Sequence, residues 1–153
     1  MDKKEIKIIK TVTAELLELL NVDGKFDILE NKEGESIDII LDTNDTGIVI
    51  GYHGDTMEGL QLVLTLCVAK RLGRFVRISL EVGDYKKNRT EWLKSLAEET
   101  KDRVISENKE IVIPELKSWE RRVVHLLLEN DDKVISESQG EGRDRVLVVK
   151  PKV

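Results

Sequence analysis

Two short constellations in this chain have the residue types and spacing to hold a phosphodiester strand. In the first, Gly51 and Gly54 bracket Tyr52 and His53. Glycines so placed let a sugar-phosphate backbone come closer than a Cβ would permit. If a helix follows, its first amides offer donors and partial positive charge to phosphate oxygens. In the second, Arg121 and His125 stand four residues apart, so both project from one helix face with Cβ atoms about 5–6 Å apart. A planar guanidinium fork beside an adaptable imidazole donor makes a compact phosphate site. Each pattern also has an ordinary reading, as turn chemistry or as an exposed pair on an amphipathic helix. Lys70, Arg71, Arg74 and Arg77 add positive charge after the glycine pair, or simply solvate a helix end. His53 and His125 have the right chemistry for acid–base work. No carboxylate cluster, metal-ligand spacing or nucleophile elbow accompanies them, so neither catalysis nor a metal or cofactor is expected.

The elements that must position these groups are legible in the periodicity. Residues 5–20 place Ile6, Ile9, Thr13, Leu16, Leu17 and Leu20 on one helical stripe. Two alternating segments, 25–30 and 36–41, flank the turn-like Asn31-Lys32-Glu33-Gly34 and predict a hairpin. A short apolar turn, Gly47 to Ile50, leads into the glycine loop. A helix capped by Asp55 or Thr56 then runs to Leu72, with Met57, Leu60, Leu64, Cys67 and Val68 facing inward and Gly73 as its stop. A third strand covers 75–82. A long polar helix follows, from Tyr85 to about Asn108, with Trp92, Leu93, Leu96, Thr100 and Val104 on its apolar side. A short strand, 111–113, ends at Pro114. Ser118 is read as the cap of a helix whose core face is Trp119, Val123, Leu126 and Leu127. Strands at 133–136 and 145–150 close the chain around the loop Glu137 to Asp144. Trp92 and Trp119 are thus read as packing residues, Cys67 as a core thiol, and Tyr52, then Tyr85, as the aromatics that would touch a ligand.

The 153 residues suffice for two small α+β modules in tandem, read as 1–84 and 85–153. No run of about 18 apolar residues occurs, so membrane insertion is not expected. The first ten residues lack the continuous apolar run of a secretory signal. Cys67 is the only cysteine, which excludes an intrachain disulfide and, with the missing signal, predicts a cytoplasmic location. The net charge of −5 is unevenly spread: residues 1–50 carry −6, residues 51–90 carry +3 and residues 91–153 carry −2. Such a bias permits local phosphate contact within an acidic chain.

With its flanking pattern, Ile48-Val49-Ile50-Gly51-Tyr52-His53-Gly54 followed by helix and strand resembles a KH domain of the prokaryotic topology, whose Gly-x-x-Gly loop clamps about four nucleotides of single strand. The resemblance implies an apolar base groove beside the loop, to which Ile50 and the hairpin would contribute. The loop's middle residues are usually Lys or Arg in such domains; here they are Tyr52 and His53. The segment Glu120-Arg121-Arg122-Val123-Val124-His125, the run from Ser136 to Arg145 and the strand ending in Lys150-Pro151 resemble an R-three-H domain, named for Arg-x-x-x-His. Carried over by position, Arg121 and His125 are the signature pair, and Arg143 and Arg145 extend the basic surface. A KH domain followed directly by an R-three-H domain resembles the Jag or SpoIIIJ-associated family. That resemblance implies binding of single-stranded RNA or DNA, a link to bacterial cell elongation and division, and pairing with a smaller KH protein or with itself. The alternative is a protein-interaction adaptor in which nucleic-acid binding is weak or lost.

Overall fold

A computed structural model describes residues 1–31 and 36–153. The chain divides into two compact units, Met1–Lys86 and Lys87–Val153.

In the first unit, α1 (Lys3–Leu19) starts at a capping box. Asp2 accepts from the Glu5 amide at 2.7 Å and the Glu5 carboxylate accepts from the Asp2 amide at 3.1 Å. Strands β1 (Gly24–Glu30) and β2 (Ser36–Thr43) pair antiparallel, with Phe26 opposite Leu41 and Ile28 opposite Ile39. The predicted turn between them lies, from Lys32 on, outside the described residues. Strand β3 (Arg77–Val82) pairs parallel to β2. Parallel neighbours need a crossover, and α2 (Thr46–Ile50), the glycine loop and α3 (Asp55–Leu72) supply it. The core forms where Ile37, Ile39 and Leu41 of β2 and Ile78, Leu80 and Val82 of β3 meet Ile9, Val12 and Leu17 of α1 and Met57, Leu60, Leu64 and Val68 of α3.

Four expectations for this unit change. Residues 46–50 form a short helix in place of the expected turn, and Val49 is its buried anchor. Gly54, in a left-handed conformation, occupies the N-cap position of α3, and Asp55 and Thr56 fall inside its first turn. Cys67 is exposed, because the buried stripe of α3 runs through Leu60, Leu64 and Val68 and leaves position 67 outside it. Phe75, expected in the third strand, precedes β3 and is exposed.

Helix α4 (Tyr85–Glu107) begins two residues before the second unit, in which it buries Leu93, Ala97, Thr100 and Val104. Strands β4 (Ile111–Ile113), β5 (Val134–Gln139) and β6 (Val146–Pro151) form an antiparallel sheet in the order β4-β6-β5, packed with α5 (Ser118–Leu128). Helix α5 begins at Ser118, with Lys117 at the cap position. Its buried residues are Glu120, Val124 and Leu128, not the predicted Trp119, Val123, Leu126 and Leu127, of which only Val123 is partly packed.

The cause of this rotation is a charge pair. Glu120 is fully buried and accepts from Arg89 Nε of α4 at 2.6 Å and from the Lys117 amide at 2.9 Å. A buried carboxylate must be paired and hydrogen-bonded, so Glu120 points to α4 and turns Trp119 and Leu126 outward. Trp92 is likewise 47% exposed, with the Arg89 guanidinium 4.0 Å above its ring. Replacing Glu120 with Ala leaves Arg89 buried without this partner. The expected loss is about 3–5 kcal/mol of stability in the second unit, read as an earlier urea transition for that unit with the first unit's transition unmoved.

Candidate nucleic-acid interface

The glycine loop is a single turn of 3-10 helix, Tyr52–Gly54, between α2 and α3. Its two glycines are required for different reasons. Gly51 has φ +69°, and a Cβ there would lie 2.7 Å from the Cβ of Thr56. Gly54 is buried at φ +80°, with Tyr85 Cε1 3.0 Å from the place of a Cβ. Tyr85 therefore backs the loop from within, partly buried against the core. Between the glycines, Tyr52 and His53 stack with centroids 4.1 Å apart and planes 10° apart, and Tyr52 is 70% exposed. His53 itself sits at φ +49°. Ile50 is half-buried against the first core. The first turn of α3 carries Asp55 and Glu58, which oppose an incoming phosphate at that helix start.

The positive charge that follows the glycine pair in sequence lies elsewhere. Lys70 and Arg71 sit at the last turn of an 18-residue helix that begins at the loop, about 25 Å away at 1.5 Å per residue. Arg71 pairs with Glu15 at 2.5 Å and Arg74 with Glu5 at 2.9 Å, both on α1. These arginines tie α1 to the end of α3. Arg77, exposed at the start of β3, follows the same end of the helix. Lys70, Arg71, Arg74 and Arg77 are thus not brought to the glycine loop.

The second unit gathers its basic residues. An open pocket of about 460 Å³ is lined by Arg121, Arg122, His125, Arg145, Ser136 and Ser138, with Ser118, Glu137 and Leu147 completing it. The Arg121 guanidinium donates to the Leu116 carbonyl and, at 3.1 Å, to Ser118 Oγ. His125 Nδ1 lies 2.8 Å from Ser136 Oγ. Arg145 Nε donates to Ser138 Oγ at 2.9 Å. The hydroxyls of Ser118 on α5 and of Ser136 and Ser138 on β5 thus hold Arg121, His125 and Arg145. Glu137 is the one carboxylate of the described lining, and a hydrogen bond from Lys150 at 3.0 Å holds it below the usual carboxylate range and raises the Lys150 pKa. Arg143 sits in the short turn Gly142–Asp144 and does not line the pocket. Arg122, which lies beside the signature Arg121, does. The serines are not among the candidates that motif spacing singles out. The available signal is the alternation of Val134, Ser136 and Ser138 along β5, which puts all three on one face.

A helix, hairpin, helix–Gly-x-x-Gly–helix and parallel third strand define a KH domain of the prokaryotic type, and the second unit with its Arg-x-x-x-His helix defines an R-three-H domain. The chain is a tandem KH and R-three-H protein. It matches the KhpA/KhpB KH-domain family over residues 7–82 and the R-three-H-domain family over residues 91–151, and it belongs to the Jag family. It is 27% identical over 135 residues to RNA-binding protein KhpB of Clostridium symbiosum, covering 88% of this chain and 61% of that protein. It is 32% identical over 114 residues to RNA-binding protein KhpB of Streptococcus pneumoniae, covering 74% and 35%. For that of Lactiplantibacillus plantarum the identity is 34% over 109 residues, covering 71% and 34%. The chain therefore spans between about a third and three-fifths of the length of these curated relatives.

The geometry at Gly54 bears on how the loop is to be tested. Gly54→Asp is not fold-neutral, because the new Cβ meets the Tyr85 ring in a left-handed backbone. It is expected to destabilise the first unit by roughly 1–3 kcal/mol, measured as a lowered urea midpoint. Loop chemistry is better probed at exposed Tyr52.

Proposed function

We propose that this chain binds single-stranded RNA, or single-stranded DNA, chiefly by seating phosphates in the pocket of the second unit while the glycine loop receives a neighbouring stretch of the strand. The observation that carries this reading is the convergence of Arg121, Arg122, His125 and Arg145 with three serine hydroxyls on one open pocket. Guanidinium and imidazole groups already oriented by Ser118, Ser136 and Ser138 lose little freedom on meeting a phosphate. In the glycine loop the stacked Tyr52–His53 pair offers ring faces in place of cations, which suits contact with a base. The relatives are named RNA-binding proteins, which supports RNA as the ligand. KH and R-three-H domains bind rather than catalyse, so the reading is of a non-enzymatic binder.

A further aspect concerns protein partners. Leu62, Val63 and Leu66 of α3 are exposed and share one face with the exposed Cys67. This stripe supports association of the first unit with another KH-type module, either a second copy or a smaller KH protein, and it is the feature that favours the adaptor alternative. Among the described residues no helix is long and apolar enough to cross a membrane. A cytoplasmic location and a part in cell elongation and division are proposed on family resemblance.

Replacing Arg121 and His125 together with Ala is expected to weaken oligo-RNA binding at least tenfold and to flatten the dependence of log affinity on log salt by roughly 0.7 for the lost guanidinium contact. Wild-type binding indifferent to salt would favour the adaptor. Glu137→Gln has the opposite sign. It removes the lining carboxylate and releases Lys150, so affinity should rise about two- to fivefold in the same titration.

A further inference from the structure

Helix α5 carries two different stripes side by side. Ser118, Arg121, Arg122 and His125 form the stripe that lines the pocket. Trp119 and Leu126 form the next stripe, beyond Arg122, because successive residues turn by about 100° around the axis. Trp119 is three residues from Arg122, which sets their Cβ atoms about 5–6 Å apart. Both members of the outer stripe are open: Trp119 is 36% exposed and Leu126 is 53% exposed. Trp92 has a guanidinium over one face. Trp119 has no ring or cation stacked on it among the described residues. The outward position of Trp119 follows from buried Glu120 beside it, whose pairing with Arg89 fixes the rotation of the helix.

A nucleotide presents the same two chemistries at adjacent positions, an anionic phosphate and a flat aromatic base. We propose that Trp119 is a base-stacking platform for the nucleotide whose phosphate enters the pocket of Arg121, Arg122, His125 and Arg145. This rests on the proposed binding of single strands and adds a specific contact to it. The phosphate sets the position of the strand, and the indole takes any base through its π-face. Leu126 extends the apolar edge on which the base or its sugar rests. The contact is tolerant of sequence and insensitive to salt, unlike the cationic contacts beside it.

The test uses the full chain carrying Trp92→Phe, which leaves Trp119 as the only tryptophan. It is titrated with a short oligouridylate and with an abasic strand of the same length, binding being followed separately by retention of radiolabelled strand on a filter. The expected result is quenching of Trp119 emission by the oligouridylate and binding without quenching by the abasic strand. Trp119→Ala should weaken oligouridylate binding about tenfold at every salt concentration, leaving the salt slope unchanged, while Trp119→Phe retains most of the affinity. Oligouridylate binding without quenching, or equal quenching by the abasic strand, overturns the stacking assignment and leaves the RNA-binding reading standing. Failure of both strands to bind overturns both. Quenching at Trp119 needs no substitution at that position, so an unstable Trp119→Ala chain does not spoil the experiment.

Discussion

The pairing of Arg89 with Glu120 governs the second unit. A carboxylate with no solvent exposure, bonded to a guanidinium at 2.6 Å and to a backbone amide at 2.9 Å, can occupy only one orientation. Because Glu120 is adjacent to Arg121, that orientation decides where the whole Arg-x-x-x-His face looks. A buried ion pair is rarely the most stabilising choice for a core, and an apolar substitute of the same shape often serves as well. Its effect here is directional. It sets the rotation of α5 about its axis, and the alignment of His125 with Ser136 of β5 follows from that rotation.

The two units solve the problem of meeting an anionic strand in different ways. In the first, the loop is shaped by glycines at positive φ and backed by Tyr85, and its tip is an aromatic pair with carboxylates close behind. Its arginines serve internally, joining α1 to α3. In the second, the guanidiniums and imidazole face an open pocket and are steadied by hydroxyls. The net charge of the chain conceals this division. Glu137, the carboxylate that does line the pocket, is held by Lys150.

Apart from the short α2, the order of elements is legible in the sequence because each depends on local periodicity, and so are the two motifs, whose meaning lies in a spacing of three or four residues. What is not legible depends on partners far along the chain. Arg71 and Arg74 meet carboxylates 56 and 69 residues away, so nothing local distinguishes them from free cations. Hydrophobicity alone favours burying Trp119, Leu126 and Leu127, and so misplaces the rotation of α5. A single buried glutamate, matched to an arginine 31 residues earlier, outweighs three apolar side chains. Cys67 and Trp92 escape for a simpler reason, since each lies one residue off the stripe that packs.

The parallel pairing of β2 with β3 also governs how the first unit is made. The glycine loop lies within the crossover that joins those strands, while Tyr85, which backs Gly54, follows β3, so the loop is an enclosed segment whose ends are fixed only when the sheet closes. Closing such a segment costs chain entropy before any contact repays it. The hairpin β1–β2 can zip locally, but the loop must wait for the last strand. A nascent chain still lacking β3 and Tyr85 therefore has neither the strand that closes the crossover nor the ring that backs Gly54.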